Sequence, residues 1–195
     1  MGSKPLTYGE VNHRIRAAMA FLERLGIRPG DKIAILSTNQ PNWGIVYYAV
    51  TFMGAVVVPL LPEFLPAEIA TLLEHSETRG VFASGGLLPK LESVQTSSLE
   101  EVVRIEDFQV VRSPELLPVY LENDSPSKVY DVEEDAIAAI IYTSGTTGTP
   151  KGVMLSHKNI AFNAIKGHEI QPIQPTDRFL SILPLSHTYE NTLGL

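Results

Sequence analysis

An α/β fold, a layered and largely parallel sheet with flanking helices, is the architecture this sequence predicts. Short apolar runs of strand length alternate with longer stretches whose apolar residues recur at helical spacing. Turn residues punctuate nearly every junction between them. At 195 residues and 44% hydrophobic content, the chain can also fill one good-sized core.

The elements can be justified in order. Thr7-Tyr8-Gly9-Glu10 has the form of a capping box, and Val11, Ile15, Ala18, Leu22 and Leu25 follow at helical spacing up to Gly26. Pro29-Gly30-Asp31 makes a turn before the short apolar strand 33–36, and Pro41 suits the first position of a second helix. The stretch from Ser37 to Pro62 carries no charge, which invites a membrane reading. A spanning helix needs about 20 consecutive apolar residues. Gly54 and Pro59 interrupt this run, and Val56-Val57-Val58 favours a strand. The reading is therefore a buried helix ending at Met53, a Gly54 cap and a buried strand over 56–60.

The alternation continues with a helix over 66–76 and a strand over 81–83. Residues 102–105 and 108–111 read as short strands inside a loop-rich region that is punctuated by Pro114, Pro118 and Asn123-Asp124-Ser125-Pro126. Glu133-Glu134-Asp135 reads as a solvated acidic turn rather than a cation site. Residues 136–142 and 153–155 are expected to be adjacent buried strands that bracket an exposed loop. Ser156 is a cap for a helix over 157–166, residues 179–183 form a further strand, and a helix begins near residue 187. The apolar ending Leu193-Gly194-Leu195 suggests truncation, and Met1-Gly2-Ser3 resembles an expression scar.

Composition excludes several function classes. The charge is −7 and no dense Lys/Arg run occurs, which argues against nucleic acid as a partner. With no cysteine there is neither a disulfide framework nor a cysteine-based zinc site, which fits the cytoplasm. The N-terminus lacks the apolar core of a signal peptide.

The chemistry is concentrated in Tyr142-Thr143-Ser144-Gly145-Thr146-Thr147-Gly148-Thr149-Pro150-Lys151-Gly152. The glycines allow backbone N–H groups to approach a ligand closely, the hydroxyls add donors, and Lys151 adds a cation. Donors clustered with one cation on a loop anchored by strands suit a polyphosphate; a flexible Gly/Thr linker is the bland alternative. The P-loop of common NTPases does not fit, because Pro150 and Gly152 flank the lysine where that motif needs Gly and Ser/Thr. No G-x-G-x-x-G follows a strand either.

Residues 142–152 resemble the signature loop of the adenylate-forming superfamily, which includes acyl-CoA synthetases, peptide-synthetase adenylation domains and firefly luciferase. Pro5 to Glu10, Pro29 to Ile35 and Gly54 to Leu60 resemble the family's early segments. Leu183-Pro184-Leu185-Ser186-His187-Thr188-Tyr189-Glu190 is similar to the Pro-Leu-x-His segment of acyl- and aryl-CoA synthetases, with an ending like that of long-chain fatty acid members. The resemblance implies ATP-dependent activation of a small carboxylic acid, a fatty acid by this segment, to acyl-AMP and then acyl-CoA, with Mg2+ and coenzyme A as further requirements.

By the same resemblance Thr143, Ser144, Gly145, Thr146, Thr147, Gly148 and Lys151 contact the ATP phosphates. His187 lies near the acyl carboxylate, and Glu190 gates or supports an acyl tunnel; no metal ligand is assigned. The family's later motifs do not appear. Residues 4–195 are therefore expected to be an incomplete N-terminal AMP-binding domain, the large remainder and C-terminal domain being absent, and inactive alone. The alternatives are a non-catalytic interaction module of the same fold and an acyl-AMP ligase that loads a carrier protein. No membrane span is expected, peripheral membrane contact is left open, and the apolar end predicts self-association.

Overall fold

A computed structural model describes residues 5–113, 124–126, 128, 130–143, 151–170, 174, 176–178 and 183–187, without the side chains of residues 168 and 170. Its elements run α1 (Tyr8–Arg24), β1 (Lys32–Leu36), α2 (Pro41–Phe52), β2 (Val56–Leu60), α3 (Pro66–Ser76) and β3 (Thr78–Ala83). A 3-10 segment (Gly85–Leu91) follows, then β4 (Glu101–Arg104), β5 (Gln109–Arg112), β6 (Ile137–Thr143), β7 (Lys151–Ser156) and α4 (His157–Ile170).

The local signals act as their chemistry requires. The Thr7 hydroxyl accepts from the Glu10 N–H at 3.2 Å, while the Glu10 carboxylate accepts from the Thr7 N–H at 2.7 Å. That reciprocal pair satisfies two donors that the start of α1 would otherwise leave orphaned. Ser156 caps α4 in the same manner, its hydroxyl accepting the Asn159 N–H at 3.2 Å. Gly54, at φ +72°, turns the chain out of α2 into β2, a conformation that L side chains adopt at a cost.

The seven strands among the described residues lie in the order β5-β4-β3-β1-β2-β6-β7. β4, β3, β1, β2 and β6 are mutually parallel, whereas β5 and β7 run antiparallel at the two edges. Period-two alternation divides the core between the sheet's faces. Ile33, Ile35, Val57, Ala139 and Ile141 pack with α1 and α2, whereas Ala34, Leu36, Val58, Leu60 and Tyr142 pack with α3 and Leu91. Phe21 meets Phe82 and Phe108 edge-on, with centroids 6.2 and 5.5 Å apart, and so ties α1 to the sheet.

The uncharged stretch is a buried helix and strand as expected, and no helix among the described residues is long and apolar enough to cross a membrane. Glu134 lies in a turn and pairs with Lys158 at 2.6 Å. Two expectations need correction. β7 is not buried: Val153 is 45% and Met154 65% exposed. Among the described residues β7 is the last strand in the order and pairs only with β6, and most of its residues stay exposed. Leu183 is an exposed bend rather than the end of a strand. The rest of that expected strand, residues 179–182, and residues 188–195, with Glu190 and the body of the last expected helix, lie outside the described residues.

Candidate active site

All the parallel strands end on one edge of the sheet, and the sequence-predicted residues that the structure describes gather there. β6 ends at Thr143, which stands directly opposite Lys151 at the start of β7. Residues 144–150 therefore leave from and return to a single registered pair. Facing residues of an antiparallel pair have Cβ atoms about 4.5–5.5 Å apart on one face of the sheet. The Thr143 hydroxyl and Lys151 ammonium thus project on the same side, and both residues are exposed. Ser144, Gly145, Thr146, Thr147 and Gly148 lie outside the described residues.

Just inside this pair the hairpin is locked. The Tyr142 hydroxyl sits 2.7 Å from His75 Nδ1 of α3, and burial pushes the phenol up from its ordinary range, so it remains a neutral hydrogen-bonding group. Gly152 faces Tyr142 across the hairpin. A Cβ at Gly152 would come within 3.0 Å of Ile140 Cγ2 and 3.2 Å of Tyr142 Cε1. The glycine lets the ring lie against the strand backbone. Gly152→Val is expected to cost about 1–3 kcal/mol of stability through overpacking. Chemical denaturation checks this, and an unchanged midpoint would show that the hairpin accommodates the side chain.

The second predicted segment reaches the same edge. Leu185 is buried in the core on the α1/α2 side, and His187 is exposed, its N–H donating to the Pro184 carbonyl at 2.8 Å. Alternation along β6 places Ile141 on that side and Tyr142 on the other, so Thr143 and Lys151 project on the α1/α2 side as well. β1, whose following loop touches residues 183–185, lies two strands from β6, about 10 Å across the sheet. The structure therefore brings the 183–187 segment and the Thr143–Lys151 pair to one edge and one face.

Chain order reverses between β1 and β3, the place where open α/β sheets commonly offer a ligand crevice. Here it is filled from within. Ser84 Oγ donates to Ser37 Oγ at 2.7 Å, and Gln40 Nε2 donates to Ser37 Oγ at 3.0 Å and to Glu106 Oε1 at 3.4 Å. A cavity of about 730 Å³, lined by Asn12, Arg16, Phe52, Lys128, Asp131 and His157, opens at the opposite, amino-terminal edge of the parallel strands. It shares no described residue with the hairpin. Among the described residues no cluster of His, Asp or Glu is arranged to hold a metal.

A sequence profile of the family described as AMP-binding enzyme matches residues 1–195. The chain belongs to that family. It is 32% identical over 186 residues to a long-chain-fatty-acid–CoA ligase of Thermus thermophilus, covering 93% of this chain and 34% of that protein. It is 30% identical over 192 residues to a 4-coumarate–CoA ligase of Humulus lupulus, covering 94% of this chain and 35% of that one. The chain thus spans about a third of the length of the curated relatives it matches.

Two solved structures superpose well. The N-terminal domain of FACL13 from Mycobacterium tuberculosis aligns with a TM-score of 0.81 at 24% identity, over 96% of this chain and 46% of that one. ATP-bound MatB from Rhodopseudomonas palustris aligns with a TM-score of 0.80 at 23% identity, over 98% of this chain and 38% of that one. At that identity the likeness speaks for the fold. Sequence reasoning missed one residue at this edge, Asn39, whose partners lie 144 and 146 positions away.

Proposed function

We propose that the intact protein activates a carboxylic acid with ATP, and that the acid is a fatty acid. A carboxylate oxygen attacks the α-phosphorus, the bond to pyrophosphate breaks, and pyrophosphate leaves with the electron pair. The sulfur of coenzyme A then adds to the acyl carbon, the bond to AMP breaks, and the thiol proton is released. The observation that carries this reading is the registered Thr143–Lys151 pair at the carboxyl edge, which holds both ends of the Gly/Thr-rich segment. Thr143, Ser144, Gly145, Thr146, Thr147, Gly148 and Lys151 bind the β- and γ-phosphates. There, fixed donors and one cation meet the charge that grows on pyrophosphate, without reorganising as it forms. Mg2+ arrives with ATP as part of the substrate.

His187 binds or orients the acyl carboxylate, and Glu190 supports the acyl tunnel. The fatty acid assignment rests on the similarity of residues 183–190 to long-chain members and on the Thermus thermophilus relative. The Humulus lupulus relative, named for 4-coumarate, makes an aryl acid the competitor to exclude. Pyrophosphate–ATP exchange with palmitate and with 4-coumarate is the test. Exchange supported by palmitate and not by 4-coumarate is expected. Exchange with aryl acids alone would overturn the fatty acid, and none with any carboxylate would overturn adenylation. In the same assay His187→Ala is expected to raise the KM for the acid about tenfold, the loss of one or two hydrogen bonds to a charged group. An unchanged KM would remove His187 from the site.

A further inference from the structure

Asn39 stands in the loop between β1 and α2. Its Nδ2 donates to the Leu183 carbonyl at 2.7 Å, and its Oδ1 accepts the Leu185 N–H at 2.8 Å. One side-chain amide thereby offers the donor and acceptor that a neighbouring strand would offer to alternate residues. Between those residues lies Pro184, which has no N–H to give. Leu185 anchors the segment in the core, and the bond from His187 N–H to the Pro184 carbonyl carries the constraint two residues further.

The loop that bears Asn39 is itself held rigidly. The Thr38 N–H donates to Ser84 Oγ at 3.2 Å, and the Ser84 N–H donates to the Leu36 carbonyl at 3.0 Å. With the Ser37–Gln40–Glu106 bonds described above, these fix the loop on both sides of Asn39. A support whose own partners are locked can hold a functional group in a narrow range of positions.

We propose that Asn39 is a positioning residue. Its bidentate grip on residues 183 and 185 sets His187 beside the phosphate-binding hairpin, so that it governs use of the carboxylic acid and not of ATP. The inference rests on the reading of His187 as the group that meets the acyl carboxylate. Loss of the two hydrogen bonds frees the backbone that carries His187, and displacements on the order of 1 Å are enough to lower the efficiency of an oriented group.

The test compares Asn39→Ala, Asn39→Asp, His187→Ala and the Asn39→Ala/His187→Ala double variant in the intact protein. Pyrophosphate–ATP exchange is measured with palmitate and ATP each varied, and thermal midpoints are taken alongside. Asn39→Ala is expected to raise the acid KM about tenfold, the loss of two hydrogen bonds, with the ATP KM unchanged. In the His187→Ala background it should add nothing, because the group it positions is already gone. Asn39→Asp keeps the acceptor for the Leu185 N–H but sets a carboxylate oxygen against the Leu183 carbonyl. It should show the same split between the two KM values, and it serves if the alanine variant does not fold.

A purely structural role would lower the folded fraction, and hence kcat, without separating the KM values. An unmoved acid KM, or both KM values rising together, overturns the proposal. Losses that multiply in the double variant also overturn it and leave the reading of His187 standing. If His187→Ala alone leaves the acid KM unmoved, the reading of His187 falls and takes this inference with it.

Discussion

Lys151→Ala in the intact protein is expected to slow the adenylation half-reaction by roughly a hundred- to a thousandfold, or about 2.7–4 kcal/mol, taking removal of one oxyanion-hole donor as the guide. The effect should be large because of where the cation stands. Lys151 opens β7 directly opposite Thr143, and backbone pairing, rather than a mobile loop, sets where its side chain begins. No ion pair to Lys151 is found among the described residues, whereas Lys158 at the other end of the hairpin is held by Glu134. A cation aimed at the leaving pyrophosphate acts mainly as charge develops, so the loss should appear in the rate of exchange more than in the KM for ATP. Exchange at the wild-type rate in this variant would remove Lys151 from the phosphate site. Lys151→Arg separates charge from geometry: it keeps the charge but replaces a compact ammonium with a planar fork.

Much of this edge of the sheet could be read from local chemistry. Thr7 and Glu10 announce a helix start because two orphan backbone groups need them, and Pro41 opens α2 where a missing N–H costs nothing. The strands ending at Leu36, Leu60 and Thr143 were legible as apolar runs because parallel strands are covered on both faces. The same rule misled at Val153-Met154-Leu155. An apolar triplet says that residues favour burial, but its place at the end of the sheet order decides whether they are covered, and that is tertiary information. The 3-10 segment was hidden because Gly85, Gly86 and Pro89 break any helical period. It is held instead by the Ser84 carbonyl, which accepts from both Leu87 and Leu88 N–H groups. Asn39 was illegible for another reason. It makes its two contacts with residues 144 and 146 positions away, and no neighbour in sequence signals a partner so distant.

The exposed end of the sheet supports the second large effect: the 195-residue chain is expected to self-associate at micromolar concentration. Among the described residues β7 is the edge strand, and an edge offers unpaired N–H and C=O groups to any extended chain that meets it. Edges are commonly protected by charge, yet between Lys151 and Ser156 this one carries Gly152, Val153, Met154 and Leu155. Val153 and Met154 are consecutive, so they point to opposite faces, and both are exposed. On the following helix Phe162, 59% exposed, and Ile165, 60% exposed, are three residues apart on one surface of α4. Two copies pairing β7 to β7 would satisfy the edge and cover apolar side chains on both faces at once, a self-complementary contact of the kind found in twofold dimers. Sedimentation velocity over a range of concentrations reads the effect directly. Met154→Lys places a charge on the open edge without touching the Thr143–Lys151 pair, and it should shift the chain toward monomer. A compact monomer at every concentration in the unaltered chain would show that the β7 edge does not recruit a second copy.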